Sequence, residues 1–253
     1  MGGLAREYGS DYRDEGSRIG SGPDCFADLM AHWLDVAAET GMPFDPRIWR
    51  QNPIRSTYPA CMAVKAASEQ GAEAGGRYLR RLREGLMLER RKLDHTEPLV
   101  AAAGEVGLDL ERFRLDLSSN AITEAFATDL DEVRDIPAEV REQGKVERTE
   151  GHERVPFPSL LFIGADGSRM GVWGRQPYEA YREAALAAGG TAAGAAPPDP
   201  EAVVRRFGRV GTKEVEFLTE QPLPVVCAEL WAAARDWRLR PVRALTGTLW
   251  EQA

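Results

Sequence analysis

The chain has few cysteines, no excess of positive charge and no long hydrophobic run. Its three cysteines, Cys25, Cys61 and Cys227, are far apart, which fits neither a disulfide framework nor a zinc-ligand spacing. No Cys-x-x-Cys pair occurs in the 253 residues. A net charge of −8 argues against a general nucleic-acid binder and against attachment to an anionic membrane.

Targeting and cofactor motifs are absent from the sequence as well. No apolar run approaches the ~20 residues that span a bilayer. The opening Met-Gly-Gly-Leu-Ala-Arg has no export core, and it lacks the Ser or Thr that myristoylation needs at position 6. No Walker loop, dinucleotide fingerprint, nucleophile elbow or zinc-protease motif is found. We therefore expect a cytoplasmic protein with no cofactor, no metal, no nucleic-acid partner and no membrane.

The most informative stretch is residues 154–173. Pro158 stands just before the apolar run Leu160–Ile163, and proline can begin a strand but cannot sit inside one. Asp166-Gly167 is a tight-turn signal, and Met170–Trp173 supplies the returning strand. The sequence therefore predicts a β-hairpin over residues 155–173.

Helical periodicity covers much of the rest of the chain. Pro59 suits a first helical turn, and Asp109 suits an N-cap. Residues 42–57 are expected to be irregular, and the charged residues 137–153 are expected to form a loop. Helices are predicted at residues 24–40, 57–70, 74–92, 96–104 or 107, 109–117, 121–135 and 177–188.

A run of small residues, 189–199, is the clearest linker in the chain. Beyond it the pattern predicts helices at 200–207, 212–219 and 224–237 and a hairpin at 241–250, with its turn at Thr246-Gly247. Three helices and a hairpin outline a winged helix. The Arg and Lys residues of this module are balanced by Asp and Glu, so it lacks the positive charge that phosphate binding requires.

Three further segments follow one another in the order expected for a known protein family: Met1–Leu4, Ser56–Ala67 and Tyr78–Glu84. Together with the proline-led hairpin, they resemble the cytoplasmic branch of the DsbA family, which includes FrnE-type and isomerase-type members. The resemblance implies an α/β fold, in which a thioredoxin-like sheet carries a large helical insertion. It also implies thiol–disulfide oxidoreductase chemistry on a protein or small thiol substrate.

The domain boundaries follow from this resemblance. Residues 1–22 and 154–188 are assigned to the thioredoxin-like portion, and residues 23–136 to the helical insertion. Residues 189–199 are the linker, and residues 200–253 form the small winged-helix-like module at the C-terminus.

The beginning of the chain departs from the family pattern. In that family a strand and a Cys-x-x-Cys helix precede the strand that ends in Met-Gly-Gly-Leu, whereas here Met1–Leu4 comes first. We therefore expect an N-terminally truncated member that lacks the first strand, the redox helix and every catalytic residue. Loss of a central strand would leave backbone groups unpaired at about 1–3 kcal/mol each. The chain as written is predicted to be inactive in dithiol exchange.

The resemblance implies a substrate-binding role for Phe157 and Pro158, joined by a cis peptide bond; the alternative is a trans proline that merely opens a strand. Cys61, near a helix N-terminus, is either a redox thiol or a packed small residue. His152 is close enough in sequence to line a cleft beside Pro158. The six tryptophans are expected to be core anchors.

Two other functions remain open besides the oxidoreductase that lacks its dithiol. The chain could be a non-catalytic adaptor that binds a peptide in the Pro158 cleft. It could also be a relative of the glutathione-dependent isomerases, whose single nucleophile would lie upstream of Met1. The oligomeric state and the substrate cannot be inferred from the sequence.

Overall fold

The computed structural model describes residues 5–8, 14–15, 25–149, 151–192 and 194–253. The predicted strand at Met1–Leu4 lies outside these residues. Contacts group the chain into two compact units, the first made of Met1–Cys25, Ile54–Leu82 and Leu93–Gly194, and the second of Phe26–Pro53, Arg83–Lys92 and Ala195–Ala253. The domain boundaries given above remain a prediction.

The fold is mixed α/β, as expected from the sequence. Its helices are α1 (Cys25–Thr40), α2 (Ile48–Gln51), α3 (Tyr58–Ser68), α4 (Ala72–Met87), α5 (Thr96–Glu105), α6 (Leu110–Leu117), α7 (Asn120–Arg134), α8 (Ala138–Glu142), α9 (Tyr178–Ala187), α10 (Pro200–Phe207), α11 (Thr212–Thr219) and α12 (Leu223–Arg235). Its strands are β1 (Asp14–Glu15), β2 (Glu147–Thr149), β3 (His152–Arg154), β4 (Leu160–Ile163), β5 (Arg169–Val172), β6 (Val210–Gly211), β7 (Leu239–Arg243) and β8 (Thr248–Gln252). No helix in the described ranges combines the length and the hydropathy that crossing a bilayer would require.

The helical core of the first unit is built around α3. Its buried face consists of alanines, so that α6 and α7 pack closely against it. The Tyr58 ring meets the Phe126 ring edge-on at 4.9 Å, and Tyr78 meets Phe113 in the same way at 5.3 Å. Asp109 caps α6 as predicted, since its side chain accepts from the backbone N–H of Arg112.

The expectation of a loop over residues 137–153 is wrong. This segment contains α8 and two strands, and an antiparallel sheet runs in the order β1-β2-β3. Strand pairing sets Glu147 opposite Arg154 and Arg148 opposite Glu153. Opposite charges across a ladder stabilise a sheet without apolar alternation, and this is why the pattern of the sequence did not reveal it.

The predicted hairpin is present as β4 and β5, paired from Leu160↔Val172 to Ile163↔Arg169. Gly167 has a φ of +82° in the turn, a conformation that glycine adopts without strain. Helix α9 packs against both strands. Because side chains alternate along a strand, the hairpin has one face toward α9 and a second face free for other contacts.

The second unit contains the winged-helix-like arrangement. Helices α10, α11 and α12 pack around a core that includes Val203, Leu230 and Trp250, and the sheet order is β6-β8-β7. In the same unit the guanidinium of Arg209 lies 2.5 Å from Glu89, 2.8 Å from Glu251 and 3.6 Å from Glu84. This arginine thereby joins segments that are distant in sequence.

Three predictions about local structure need correction. Helix α4 ends at Met87 rather than at 92, and Arg90 beyond it has a left-handed φ of 58°. The segment expected to be irregular, 42–57, contains the short helix α2 with Ile48 and Trp49 buried. Among the tryptophans, Trp231 is 46% and Trp237 86% exposed, so these two are not core anchors.

Candidate functional site

The loop that joins β3 to β4 carries the two predicted site residues. The peptide bond between Phe157 and Pro158 is cis, as the resemblance implied. The strand begins two residues later than the proline, at Leu160. The Ser159 hydroxyl donates to the carbonyl of Pro156 at 2.5 Å and accepts from the N–H of Gly174 at 3.1 Å. The first bond lies within the loop, and the second fastens the loop to the chain that follows β5.

Phe157 is positioned by a buried arginine that sequence reasoning missed. The Arg154 guanidinium carbon lies 4.4 Å from the centre of the Phe157 ring, and the residue is only 4% exposed. Its Nε donates to the Thr149 hydroxyl at 2.7 Å, and one Nη lies 2.6 Å from the Glu147 carboxylate. The β2–β3 sheet therefore fixes the ring that precedes the cis proline.

A cleft of about 470 Å³ opens beside this loop within the first unit. One wall is the hairpin, with Ser159, Leu161 and Gly171. The facing wall comes from the C-terminal end of α7 and the start of α8. The full lining is Glu132, Val133, Asp135, Pro137, Glu139, Val155, Phe157, Ser159, Leu160, Leu161, Arg169, Gly171 and Trp173.

Trp173 lines this cleft and also a second cleft beside α9. A Cβ atom added to Gly171 would come within 2.2 Å of the Trp173 ring, so the ring rests directly on the glycine. The indole N–H donates to the Glu139 carboxylate, and the side-chain amide of Gln176 donates to the backbone carbonyl of Trp173 at 3.1 Å. Trp173 is thus held both at its backbone carbonyl and at its indole nitrogen.

The polar part of the lining is mainly acidic. It contains the carboxylates of Glu132, Asp135 and Glu139 and the guanidinium of Arg169. Arg169 pairs with Glu132 at 2.9 Å, and the Glu139 carboxylate holds the indole N–H. Two carboxylates therefore carry negative charge that no cation in the lining balances.

Strand β4 also offers hydrogen-bonding groups. Within the described residues β4 pairs with β5 alone, and Leu160 and Ile163 are 49% and 65% exposed. An apolar strand with an unpaired edge readily accepts another strand. Whether β4 belongs to one sheet with Met1–Leu4, as expected from the sequence, lies outside the described residues.

The three cysteines lie outside the cleft lining. None of them is in a disulfide bond. Burial raises the pKa of the Cys61 thiol, and the nearby Asp129 carboxylate raises it further. A raised pKa disfavours the thiolate that attacks disulfides, and this favours the interpretation of Cys61 as a packed small residue.

The histidines bring no further chemistry to the cleft. His152 lies in β3, but it is not part of the cleft lining, contrary to the expectation from its position in the sequence. His95 faces Asp94 at 3.4 Å outside the cleft. Across the described part of the chain, no three residues of the His, Cys, Asp and Glu types come together to hold a metal ion.

Comparison with known proteins gives one family model and a set of curated relatives. A family model described as thioredoxin matches residues 23–141. The ClpXP adapter protein SpxH of Halalkalibacterium halodurans is 30% identical over 156 residues, which are 61% of this chain and 46% of that protein. SpxH of Bacillus subtilis is 26% identical over 228 residues, 88% of this chain and 71% of that protein. The chain thus spans less than half of the first relative's length.

The solved structures include a fold match. A crystal structure assigned as a protein disulfide isomerase, from Nitrosomonas europaea, aligns with a TM-score of 0.51 at 21% identity, covering 65% of this chain and 74% of that one. At this identity the match concerns the fold alone. Nothing in these comparisons supports the predicted truncation, which stays a prediction from the sequence. The family model and the structural match together show that this chain contains a thioredoxin-like domain.

Proposed function

We propose that the chain is a non-catalytic adaptor with a DsbA-type thioredoxin fold, which binds an extended segment of a partner protein in the cleft beside Phe157 and Pro158. The observation that carries the proposal is a formed cleft whose lining includes Phe157 and Ser159, the two neighbours of Pro158, and contains no cysteine. The relatives named ClpXP adapter protein support the same class of function. By analogy with those names, the bound partner would be delivered to ClpXP.

The cleft has the features that binding of an extended segment requires. Phe157 is fixed by the Arg154 guanidinium, so the aromatic wall needs little ordering when a partner binds. The apolar side chains of Val133, Val155 and Leu161 can receive alternate residues of a strand. The unpaired edge of β4, within the described residues, can supply backbone hydrogen bonds.

The enzymatic alternatives have less support. Thiol–disulfide exchange needs a nucleophilic thiolate and a resolving thiol, and the sequence has no Cys-x-x-Cys pair to supply them. A glutathione-dependent isomerase would need a nucleophile in the cleft other than Ser159, whose hydroxyl is engaged with Pro156 and Gly174. The adaptor proposal retains the cytoplasmic location predicted from the sequence.

A degradation assay tests the proposal. Purified ClpXP, ATP and the cytoplasmic proteome of the host are incubated with and without the full chain, and protein half-lives are measured by mass spectrometry. We expect at least one protein to be degraded several-fold faster with the chain, and this acceleration to fall with Phe157→Ala. The matched control is Leu115→Ala, because Leu115 is exposed on α6 and lies outside the cleft.

Two results would overturn the proposal. An absence of any accelerated degradation would exclude the adaptor function. Insulin reduction by the purified chain at a rate well above that of dithiothreitol alone would instead assign thiol–disulfide oxidoreductase activity.

A further inference from the structure

The cleft joins an aromatic platform to uncompensated carboxylates. Aromatic rings attract cations over their faces, and a carboxylate beside the ring adds a Coulombic and hydrogen-bonding partner. We propose that the cleft selects a partner segment with an arginine or lysine side chain, which lies on the Trp173 ring and reaches Asp135 or Glu139. This inference rests on the proposed function, since it concerns the same cleft, and it adds the chemistry of the bound segment.

The position of the indole supports a cation rather than another hydrogen-bonding group. One face of the Trp173 ring rests on Gly171, and its only N–H already donates to Glu139. What the ring still offers to a bound side chain is therefore its opposite face. The face of an indole is the best platform for a cation among protein side chains.

The charges of the surrounding residues point the same way. Arg169 is occupied by Glu132 at 2.9 Å. The Lys145 ammonium donates to the Trp173 carbonyl at 3.4 Å and does not line this cleft. The carboxylate of Asp135, exposed at the end of α7, has no hydrogen bond or ion pair with the described residues. A bound guanidinium or ammonium would thus meet the negative charge of Asp135 and Glu139, while Arg169 in the lining is paired with Glu132.

The rest of the cleft lining indicates which kinds of residue should flank that cation. The lining apart from these groups is apolar, with Val133, Val155, Phe157 and Leu161. A highly charged polycation would leave these side chains unmatched, whereas a strand with one basic residue between apolar residues would fill both parts of the cleft. The expected ligand is accordingly a basic and apolar peptide segment.

The test uses the full chain and three fluorescein-labelled peptides of alternating threonine and valine, which differ only in a central arginine, glutamine or glutamate. Fluorescence anisotropy gives their dissociation constants. We expect the arginine peptide to bind about fivefold to tenfold tighter than the glutamine peptide at low salt. The glutamate peptide is expected to bind more weakly than the glutamine peptide, and the preference should shrink in about 0.5 M NaCl.

Variants separate the cation site from the rest of the cleft. Asp135→Asn and Trp173→Leu should each lower the preference for arginine over glutamine, measured as the ratio of the two dissociation constants in each variant. The control is Glu124→Gln, which removes one negative charge from α7 outside the lining. It should leave the arginine preference unchanged, and an equal loss there would mean that net charge rather than the cleft is responsible.

The outcomes distinguish the two proposals. Equal binding of all three peptides, with binding weakened by Phe157→Ala, would overturn the cation site and keep the peptide-binding cleft. No binding of any peptide would overturn both. An arginine preference that Asp135→Asn and Trp173→Leu leave intact would also overturn the cation site.

Discussion

The hairpin β7–β8 of the second unit and the hairpin β4–β5 of the first unit are used differently. In the second unit β8 lies between β6 and β7, and its Trp250 is only 1% exposed. In the first unit β4 pairs on one side alone within the described residues, and its Leu160 and Ile163 are half exposed or more. The comparison shows that one hairpin completes a hydrophobic core, whereas the other keeps apolar surface and backbone groups accessible for binding.

The strongest way to break this comparison is to truncate one apolar side chain in each hairpin. Trp250→Ala should lower the free energy of unfolding by about 3–5 kcal/mol, because it empties a buried site that also supports the Trp231 ring. Ile163→Ala should change it by less than about 0.5 kcal/mol, because that side chain is 65% exposed. Urea denaturation measures both. Similar losses in the two variants would contradict the distinction.

The next largest effect is expected at the residue that positions Phe157. Arg154→Ala should lower the free energy of unfolding by about 3 kcal/mol, since it removes the cation over the ring and leaves Glu147 without this partner. Arg141→Ala is the control, because Arg141 is half exposed and its ion pair with Glu153 is at the surface. Urea denaturation again gives the values. A loss below that of Arg141→Ala would show that the buried arginine does not hold the loop.

Two glycine substitutions test whether the Trp173 ring rests on Gly171 in the cleft. Gly171→Ala should cost about 1–2 kcal/mol and change the near-ultraviolet circular dichroism, because its Cβ would collide with the Trp173 ring. Gly76→Ala, in α4, has no atom within 4 Å of the new methyl group and should stabilise the chain by about 0.5–1 kcal/mol. Thermal unfolding and circular dichroism check both variants. An unchanged spectrum for Gly171→Ala would mean that the ring does not rest on the glycine.

The smallest effect concerns acid stability and compares one carboxylate from each unit. In the second unit, hydrogen bonds from Arg47 lower the pKa of Asp45, which is only 3% exposed. A lowered pKa in the folded state stabilises the fold above the unfolded pKa of about 3.9, and this contribution is lost as pH falls through the folded value. Asp45→Asn should therefore cost about 1 kcal/mol at pH 7 and much less near pH 2.

The matched carboxylate in the first unit is Glu153. Its pKa is also lowered, mainly by hydrogen bonds from Arg141 and Arg148, but these groups are at the surface. Glu153→Gln is expected to change the pH dependence of unfolding less than Asp45→Asn does. Urea denaturation at several pH values measures the difference, and an equal or larger effect at Glu153 would contradict the weight given to burial.

Local signals in the sequence predicted much of the fold. The proline-led hairpin, the cap at Asp109 and the helices of the first unit depend on neighbouring residues, and all of them are present. The β2–β3 pairing could not be predicted in this way, because its stability comes from cross-strand charge pairs rather than from an apolar period. Likewise, the exposure of Trp237 depends on tertiary packing, and the sequence pattern gave no sign of it.

Only two residues of the candidate site, Phe157 and Pro158, could be predicted from the sequence. Both follow from a resemblance, whereas nothing in the sequence distinguishes Arg154 from the other charged residues near it. An arginine next to a stretch of alternating charges carries no signal of burial; only the strand pairing shows that it lies under a ring. Asp135, Glu139 and Trp173 come from separate elements, so no local spacing could have grouped them.

The contacts of Arg209 have a practical consequence for dissecting this protein. The guanidinium binds Glu251 within the last segment, but it also binds Glu89 and Glu84 from the middle of the chain. A C-terminal fragment that starts at residue 195 would keep one of these three carboxylates and expose the rest of the guanidinium to water. Such a fragment would need either the stretch Arg83–Lys92 supplied in trans or a neutral side chain in place of this arginine.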